Sequence, residues 1–327
     1  MHKSKYSKYL VLVLIVFLVL TGCRPSPRPG GDRQVEEEKP PIPEGISQGE
    51  GQEPRLKVYI LDTGEIKEMA FEEYLNGVLA GEMRNNFPIE ALKAQAILAR
   101  TFVMEFVTEK GQSKYEGAHV STDIEEAQAW NAEEVNDLIK KAVQDTRGQV
   151  AVHDGKYIKA WFHAHAGWKT ATAKEGIEHE GEEPPYIQVV ESPDSPEAPE
   201  EDSKWTATFT KAEVIEAARN AGQEPGDFNN IEILEKGPSG RALRLRIGKA
   251  EVSAPSFRLA LDSTKLKSMK LESINVAGDQ VTFAGVGYGH GVGMSQWGAY
   301  QMAQDEKSAE EIVKHYFKDI EIVKLWE

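Results

Sequence analysis

A single glutamate stands out because helical spacing places it on the apolar face of a predicted helix. That face is formed by Phe71, Leu75 and Val78. The same spacing reaches Glu82 near the C-terminal end of the helix, where burial and the negative end of the helix dipole both disfavour an ionised carboxylate. A carboxyl group that keeps its proton near neutral pH suits a general acid. Position alone favours the alternative, a salt bridge from Glu82 to Arg84 or Arg100.

A predicted strand carries two histidines beside aromatic residues. Alternation after the Asp154-Gly155 turn places four side chains on one face: Tyr157, Trp161, His163 and His165. Because aromatic rings stack on sugars and imidazoles form hydrogen bonds, we expect His163 and His165 to contact a substrate. Their spacing also suits zinc, with three further histidines as candidate ligands: His153, His179 and His290. We favour a face without metal and expect no cofactor, because the pair lacks a cysteine or carboxylate partner.

Glycine occupies every second position of residues 285–293, which lead into a helix predicted from Met294. Such a loop lets the backbone approach a ligand closely, and we expect Tyr288, His290 and Gln296 to contact substrate. The loop is not a dinucleotide fingerprint, since the third glycine of that pattern is missing. It is not a phosphate-binding loop, since no Gly-Lys-Ser/Thr follows. A structural turn that packs the last helix on a sheet is an alternative that can hold at the same time.

Two long motifs resemble the stage II sporulation protein D family and the related amidase-enhancer proteins. Residues 73–83 read EYLNGVLAGEM and continue into PIEALKAQAILART at 88–101, and residues 287–299 read GYGHGVGMSQWGA. The resemblance covers about residues 56–326. It implies a bacterial cell-wall enzyme, because characterised members are lytic transglycosylases that cut peptidoglycan glycan strands, preferably strands stripped of stem peptides. The family's catalytic acid is the glutamate that matches Glu82, so the resemblance favours the acid over the salt bridge.

The sequence departs from this family pattern in two segments. Many members have proline after the Glu-Met pair, where this chain has Arg84. Many have a Ser/Thr-rich segment with paired glycines after the strand histidine, where residues 163–170 read HAHAGWKT. Some members bind zinc near that segment with the help of cysteine. The only cysteine of this chain is Cys23, so zinc at His163 and His165 is an alternative that the resemblance supports weakly.

Three functions are consistent with these residues. In a lytic transglycosylase, Glu82 protonates the glycosidic oxygen between N-acetylmuramic acid and N-acetylglucosamine, then deprotonates the muramoyl 6-hydroxyl to close a 1,6-anhydro ring. That reaction needs no second carboxylate, and no motif selects Asp123, Asp194 or Asp262 as one. The second function is a non-catalytic wall-binding protein that enhances a separate amidase. The third is a metal-dependent wall hydrolase that uses the histidine pair.

An α+β fold must position these residues, because the predicted elements do not alternate regularly as βαβα. Helices are predicted at 70–83, from about residue 88, at 133–145, at 211–221 and from residues 294 and 308. The helix from residue 88 has an apolar stripe made of Leu92, Ala96, Ala99, Val103 and Phe106. Strands are predicted at 58–61 and 66–68, at 149–153 and 156–165, and as short runs within 231–283. The acidic, proline-rich segment 178–202 is expected to be a surface loop.

Composition limits the partners that the chain can have. The 327 residues carry a formal net charge of −15 and are 40% hydrophobic and 28% charged, which is a globular balance. The acidic excess argues against a nucleic-acid partner, because phosphate contacts need a surplus of Lys and Arg. The expected partners are peptidoglycan glycan strands, the membrane, and a wall amidase or other sporulation proteins.

The N-terminal residues indicate export and lipid anchoring. Three lysines precede the apolar run at residues 9–20, which is shorter than the ~20 residues of a transmembrane helix. The run ends in Leu-Thr-Gly-Cys and resembles a bacterial lipobox, so residues 1–22 are predicted to be a signal peptide and Cys23 the lipidation site. We therefore expect an extracytoplasmic lipoprotein at the outer face of the cell membrane. The alternative is an uncleaved anchor with an incidental cysteine.

Composition then divides the rest of the chain. Residues 23–55 are rich in Pro, Gly and Glu and are predicted to be a flexible tether, with a cleaved pro-segment as the alternative. Residues 56–327 are predicted to form one large peptidoglycan-active domain, with a smaller subdomain at about 203–283.

Overall fold

The computed structural model describes residues 39–327 and has the predicted α+β class. The predicted signal peptide, Cys23 and about half of the predicted tether lie outside the described residues. The helices within 39–327 are α1 (Phe71–Glu82), α2 (Ile89–Lys110), α3 (Asp137–Asp145), α4 (Ala173–Ile177), α5 (Glu200–Ser203), α6 (Lys211–Asn220), α7 (Ala254–Leu261), α8 (Gln296–Gln304) and α9 (Ala309–Tyr316).

The strands of the same part of the chain are short. They are β1 (Arg55–Ile60), β2 (Glu65–Ala70), β3 (Val120–Ser121), β4 (Gln149–His153), β5 (Lys156–Tyr157), β6 (Phe162–His163), β7 (Lys204–Thr210), β8 (Ile231–Lys236), β9 (Ala242–Ile247), β10 (Ala250–Ser253), β11 (Leu271–Ala277), β12 (Gln280–Val286), β13 (Met294–Ser295) and β14 (Glu321–Lys324). They pair in small sheets with the orders β2-β1-β3, β14-β4-β5, β13-β6, β10-β9-β8 and β11-β12-β7.

The larger core is built around α2, which is 22 residues long. Its predicted apolar stripe is buried along its whole length. Helix α1 packs on α2, and α1 buries Phe71, Leu75 and Val78 as its spacing predicts. Helices α3, α8 and α9 also pack on α2, so the two sequence motifs meet on one central helix.

A second core lies in the region predicted as a smaller subdomain. Its buried residues run from Trp205 to Phe283 and come from the sheets β10-β9-β8 and β11-β12-β7 with helices α6 and α7. Strand β7 alternates exposed and buried residues along its length, which is typical of a sheet with one face on a core. Two cores therefore exist within the described residues, and the domain bounds remain a prediction.

The C-terminal boundary predicted for the tether, residue 55, lies inside the folded part of the chain. Ile46 is 1% exposed and belongs to the larger core, and its carbonyl oxygen accepts a hydrogen bond from the Arg55 N–H at 3.2 Å. Glu53 accepts from the Glu72 N–H at 2.8 Å. Residues 46–55 are therefore part of the fold, because one buried isoleucine and these hydrogen bonds compensate for an otherwise polar composition. Between residues 39 and 327, no helix has the length and hydropathy of a membrane-spanning segment.

The strand predicted at 156–165 is not continuous. The hairpin with β4 is confirmed, but its second arm β5 ends at Tyr157. The chain then leaves that sheet, and β6 pairs in parallel with β13, so that Ser295 faces His163 in the register. The predicted common face of Tyr157, Trp161, His163 and His165 is therefore wrong, because Tyr157 and His163 belong to different sheets and the other two residues lie outside the strands.

Candidate active site

Glu82 is the last residue of α1 and lines a shallow surface groove. The groove has a volume of about 570 Å³. Most of its lining comes from the end of α1 and the segment after it: Ala80, Gly81, Glu82, Met83, Arg84, Asn85, Asn86 and Glu134. Glu82 is only partly buried, so its carboxyl group is held by the protein and remains within reach of a ligand in the groove.

The Ala129-Trp130 segment packs directly on α1 beside Glu82. The N–H of Ala129 donates a hydrogen bond to Glu82 Oε1 at 2.6 Å. The segment can come this close because α1 has glycines on that side. A Cβ atom at Gly81 would lie 2.6 Å from Trp130 N, and one at Gly77 would overlap the Trp130 indole. Residues four apart share one side of a helix, so the two glycines form a single slot for this segment.

Burial is the main influence on the charge of Glu82. It raises the pKa of the carboxyl group from its ordinary value of 4.5 to about 7. The hydrogen bond from Ala129 acts in the opposite direction, because it stabilises the carboxylate. A group with this pKa exists in both protonation states near neutral pH, which is the range in which a general acid works best.

The salt bridge considered as the alternative role of Glu82 is not formed. Arg100 is buried and binds Glu72 instead, with Nε 3.1 Å from Oε1 and Nη2 2.7 Å from Oε2. Arg84 is exposed and lies over the Trp297 ring, 5.6 Å from its centroid. Among the described residues, no basic side chain forms an ion pair with Glu82. Its pKa is therefore set by burial without a compensating cation.

Gln296 connects the two motifs, which are far apart in the sequence. Its Nε2 donates to the main-chain oxygen of Glu82 at 3.0 Å and lies 3.5 Å from Gln95 Oε1. The hydroxyl of Ser295 caps α8 by accepting from the Gly298 N–H, which fixes Gln296 in the first turn. Gln296 is 8% exposed, so its amide holds the end of α1 and is not freely open to solvent.

The alternating glycines pack on the segment at 161–167. All four glycines from Gly287 to Gly293 have φ between 71° and 106°, which favours glycine. A Cβ at Gly287 would lie 2.8 Å from the carbonyl oxygen of His165, and one at Gly289 would lie 2.7 Å from the Cβ of His163. The close backbone approach that the glycine pattern predicts therefore occurs within the protein.

Both strand histidines are buried by this packing, which corrects the expectation of an open sugar-binding face. His165 is 1% exposed, and its Nδ1 accepts from the Gly167 N–H at 2.9 Å. The Nδ1 of His163 lies 3.1 Å from the Val292 carbonyl oxygen. Burial lowers the pKa of both imidazoles, so both are neutral near pH 7.

Tyr288 and His290 lie in the same glycine loop and are partly exposed. Tyr288 exchanges two backbone hydrogen bonds with His165, and Lys267 Nζ lies 4.7 Å from its ring centroid. The His290 Nδ1 accepts from the Val292 N–H at 3.0 Å, and burial lowers the pKa of the imidazole to about 3. Among the predicted substrate-binding residues, Gln296 is hydrogen-bonded to Glu82 in the described part of the chain.

These histidines do not fit a zinc ion. The Nδ1 atoms of His163 and His165 already contact the protein. Over the same part of the chain, no three His, Cys, Asp or Glu side chains are arranged to hold a metal.

The aspartates that no motif selects are engaged by local groups. Asp123 accepts from the Tyr115 hydroxyl at 2.8 Å, and Asp262 accepts from the Thr264 hydroxyl at 2.6 Å. Asp194 lies in the segment predicted to be a surface loop, but it is buried. Its Oδ1 accepts from Ser295 Oγ at 2.5 Å, which ties this loop to the cap of α8. That part of the loop prediction is wrong, because buried hydroxyl and N–H donors satisfy the aspartate.

Sequence reasoning missed the Ala129 N–H, because a backbone donor has no residue signature. The available signal was the pair Gly77 and Gly81, which costs helix propensity and therefore needs a packing reason.

Comparison with known proteins matches two parts of the chain to families. Residues 61–153, which contain Glu82, match the family described as Stage II sporulation protein. Residues 152–293 match a family described as a domain of unknown function.

Three relatives extend over most of the chain. An uncharacterized protein of Brachyspira hyodysenteriae is 31% identical over 259 residues, which are 79% of this chain and 68% of that protein. Stage II sporulation protein D of Bacillus amyloliquefaciens is 29% identical over 306 residues, 85% of this chain and 83% of that protein. Amidase enhancer of Bacillus subtilis is 23% identical over 295 residues, 74% of this chain and 39% of that protein.

Proposed function

This chain belongs to the stage II sporulation protein D family, and we propose that it is a lytic transglycosylase of peptidoglycan glycan strands. The names of its relatives, Stage II sporulation protein D and Amidase enhancer, support a role at the cell wall in sporulation. One observation carries the proposed reaction. Glu82 is a carboxyl group with a pKa of about 7 in an open groove, and no cation pairs with it among residues 39–327.

The reaction needs one carboxyl group in two protonation states. Protonated Glu82 gives its proton to the glycosidic oxygen between N-acetylmuramic acid and N-acetylglucosamine, and the C1–O bond breaks. The resulting carboxylate then takes the proton of the muramoyl 6-hydroxyl as O6 bonds to C1, which closes the 1,6-anhydro ring and restores the acid. No water is consumed, and a pKa near neutrality lets the same group serve in both steps.

Two contacts prepare Glu82 for this exchange. The Ala129 N–H at 2.6 Å stabilises the carboxylate that exists between the two proton transfers. The Gln296 amide fixes the main-chain oxygen of Glu82, so the helix end that carries the carboxyl group cannot fray. Stripped glycan is the proposed substrate, because the family resemblance implies a preference for strands without stem peptides.

A second candidate function is supported by the relative named Amidase enhancer. In that case the groove binds glycan without cleaving it, and the chain assists a separate amidase.

Replacing Glu82 with glutamine separates the two candidates. Purified wild-type protein should release 1,6-anhydromuramoyl products from stripped glycan, measured by mass spectrometry. Glu82→Gln should lower that release by at least about 10²-fold, because the transferable proton is lost. The matched control is Glu134→Gln, which removes the same charge from the same groove and should keep its activity, since no second carboxylate is needed.

Two results would contradict the proposed reaction. Release of anhydro products that survives Glu82→Gln would exclude Glu82 as the acid. Products with a reducing end and a dependence on Glu134 would indicate a two-carboxylate hydrolase instead.

We further propose that residues 1–22 direct export and that Cys23 carries a lipid, which would hold the groove outside the cell membrane. Cys23→Ser should then release the protein from the membrane fraction or block its processing. A variant that fractionates and migrates like wild type would contradict the anchor.

A further inference from the structure

Trp168 is exposed and has an unfavourable backbone conformation. The residue is 48% exposed, with φ at 68°. The other non-glycine residues with positive φ in the described part of the chain are acidic: Asp154, Glu178, Glu306 and Asp319. A bulky side chain in the left-handed region is an outlier, and glycine would be favoured there. Such outliers are retained where surrounding contacts enforce them, often for function.

The backbone on both sides of Trp168 is held by buried or partly buried side chains. Asp194 Oδ2 accepts from the Trp168 N–H at 2.7 Å. Lys270 Nζ donates to the Gly167 carbonyl oxygen at 2.6 Å. The buried Arg241 donates to the carbonyl oxygens on either side, to Ala166 at 2.7 Å and to Lys169 at 2.9 Å. The turn is therefore fixed before any ligand arrives, which lowers the entropy cost of binding.

The indole itself is positioned by one aromatic contact. The buried His165 imidazole packs almost perpendicular to it, at 88° and 5.6 Å between centroids. The ring thus has a rigid support from the interior and an exposed surface toward solvent. Its immediate neighbours in the chain are a buried glycine and a partly buried lysine, so no exposed apolar residue adjoins it in the sequence.

A chain of hydrogen bonds joins the backbone of Trp168 to the backbone of Glu82. Asp194 binds the Trp168 N–H through Oδ2 and the Ser295 hydroxyl through Oδ1. Ser295 precedes Gln296, whose amide binds the main-chain oxygen of Glu82. One buried carboxylate therefore links the backbone of Trp168 to the segment that positions Glu82.

We propose that Trp168 is a sugar-stacking subsite that binds the glycan strand away from the bond that Glu82 cleaves. The proposal rests on the proposed function for the identity of the strand. A polysaccharide is the occupant favoured by the observations, because a single rigid ring among polar groups suits a sugar with one apolar face and many hydroxyls. A protein or membrane partner would need a broader apolar surface.

The test measures binding without turnover. In a Glu82→Gln background, titration calorimetry with stripped glycan strands compares four proteins: the parent, Trp168→Gly, Trp168→Leu and Trp168→Phe. Glycine suits the positive φ and removes the ring, leucine keeps an apolar side chain, and phenylalanine keeps an aromatic one. We expect roughly ten-fold weaker binding for the glycine and leucine variants and near-parent binding for phenylalanine.

Leu259→Ala is the matched control, because Leu259 is a large apolar residue that is 69% exposed and lies on α7. It should bind like the parent, and the melting temperatures of all variants should lie close together. Equal binding by the leucine and phenylalanine variants, or a parent that does not bind glycan, would overturn the subsite. Failure of wild type to release anhydro products, with the binding differences intact, would overturn the reaction and leave the subsite standing.

Discussion

Each end of helix α1 carries a glutamate, and the two carboxyl groups have opposite environments. Glu72 is buried in the first turn, where it accepts hydrogen bonds from Arg100, from the Gly148 N–H at 3.0 Å and from Trp326 Nε1 at 3.0 Å. Within residues 39–327, the carboxyl group of Glu82 at the last position accepts one hydrogen bond, from the Ala129 N–H. The helix dipole stabilises negative charge at the first end and opposes it at the second.

The comparison shows how one helix can hold one carboxyl group in a buried ion pair and leave the other without a cation partner. The ion pair with Arg100 and the hydrogen bonds from the Gly148 N–H and Trp326 Nε1 let Glu72 hold α1, α2 and the C-terminal segment together. At Glu82, burial without a cation leaves the two protonation states close in free energy. A group can exchange protons with a substrate only if neither state is strongly preferred.

The largest expected effect is on stability, at the structural end of α1. Glu72→Gln leaves Arg100 buried without its counter-charge, which should lower the free energy of unfolding by about 3–5 kcal/mol in denaturant titrations. Glu73→Gln is the matched control, because Glu73 is exposed in the same helical turn and loses the same charge. Equal stability of the two variants would show that the buried ion pair has no special role.

A smaller effect is expected where α1 contacts the Ala129-Trp130 segment. Gly81→Ala puts a Cβ within 2.6 Å of Trp130 N, so the segment must shift, at a cost of about 1–3 kcal/mol of stability. The shift weakens the Ala129 hydrogen bond, which raises the pKa of Glu82 further and moves the basic limb of the pH–rate profile to higher pH.

Gly45→Ala is the control for Gly81→Ala, because a Cβ at Gly45 meets no atom within 4 Å. It should leave both stability and the pH–rate profile unchanged. If Gly81→Ala is destabilised but its pH–rate profile does not shift, the Ala129 hydrogen bond does not influence the pKa of Glu82.

The smallest effect is expected at Gln296. Gln296→Ala removes one hydrogen bond to the Glu82 main chain, worth about 0.5–1.5 kcal/mol, and should lower kcat several-fold with little change in KM. Gln304→Ala, at the other end of α8, is the control and should behave like wild type. A change in KM alone would instead favour the sequence-based prediction that Gln296 contacts substrate.

Sequence periodicity predicted the parts of the fold that depend on local order. The stripes of α1 and α2 and the turn at Asp154-Gly155 follow from spacing and turn chemistry alone. Periodicity failed after Tyr157, because a strand that changes sheets keeps its alternation in the sequence and loses it in space. Composition failed for Asp194, because long-range donors can bury a charge in an acidic, proline-rich segment that was predicted to be a surface loop.

The candidate site was also only partly predictable from the sequence. The position of Glu82 on the apolar face was readable from the sequence, whereas the absence of a salt bridge from Arg84 or Arg100 to Glu82 could be seen only in the structure. Arg100 is nearer to Glu82 than to Glu72 in the sequence, but in the structure its guanidinium group binds Glu72. The alternating glycines predicted that the backbone of this loop approaches another group closely. The sequence did not reveal that this group is the protein's own segment with His163 and His165.

The most direct test of the central claim is the pH dependence of stability in wild type compared with Glu82→Gln. The folded protein holds the Glu82 proton up to a pKa of about 7, whereas the unfolded chain releases it near 4.5. Between these values the folded state binds more protons, so wild type should lose stability relative to the variant as pH rises.

At about 1.4 kcal/mol per pH unit, the difference between the two unfolding free energies should change by about 3 kcal/mol across that window. Other groups titrate alike in both proteins and cancel. Denaturant titrations at closely spaced pH values provide the measurement. A difference that stays constant from pH 4.5 to 7, or a wild type that gains relative stability as pH rises, would contradict the account.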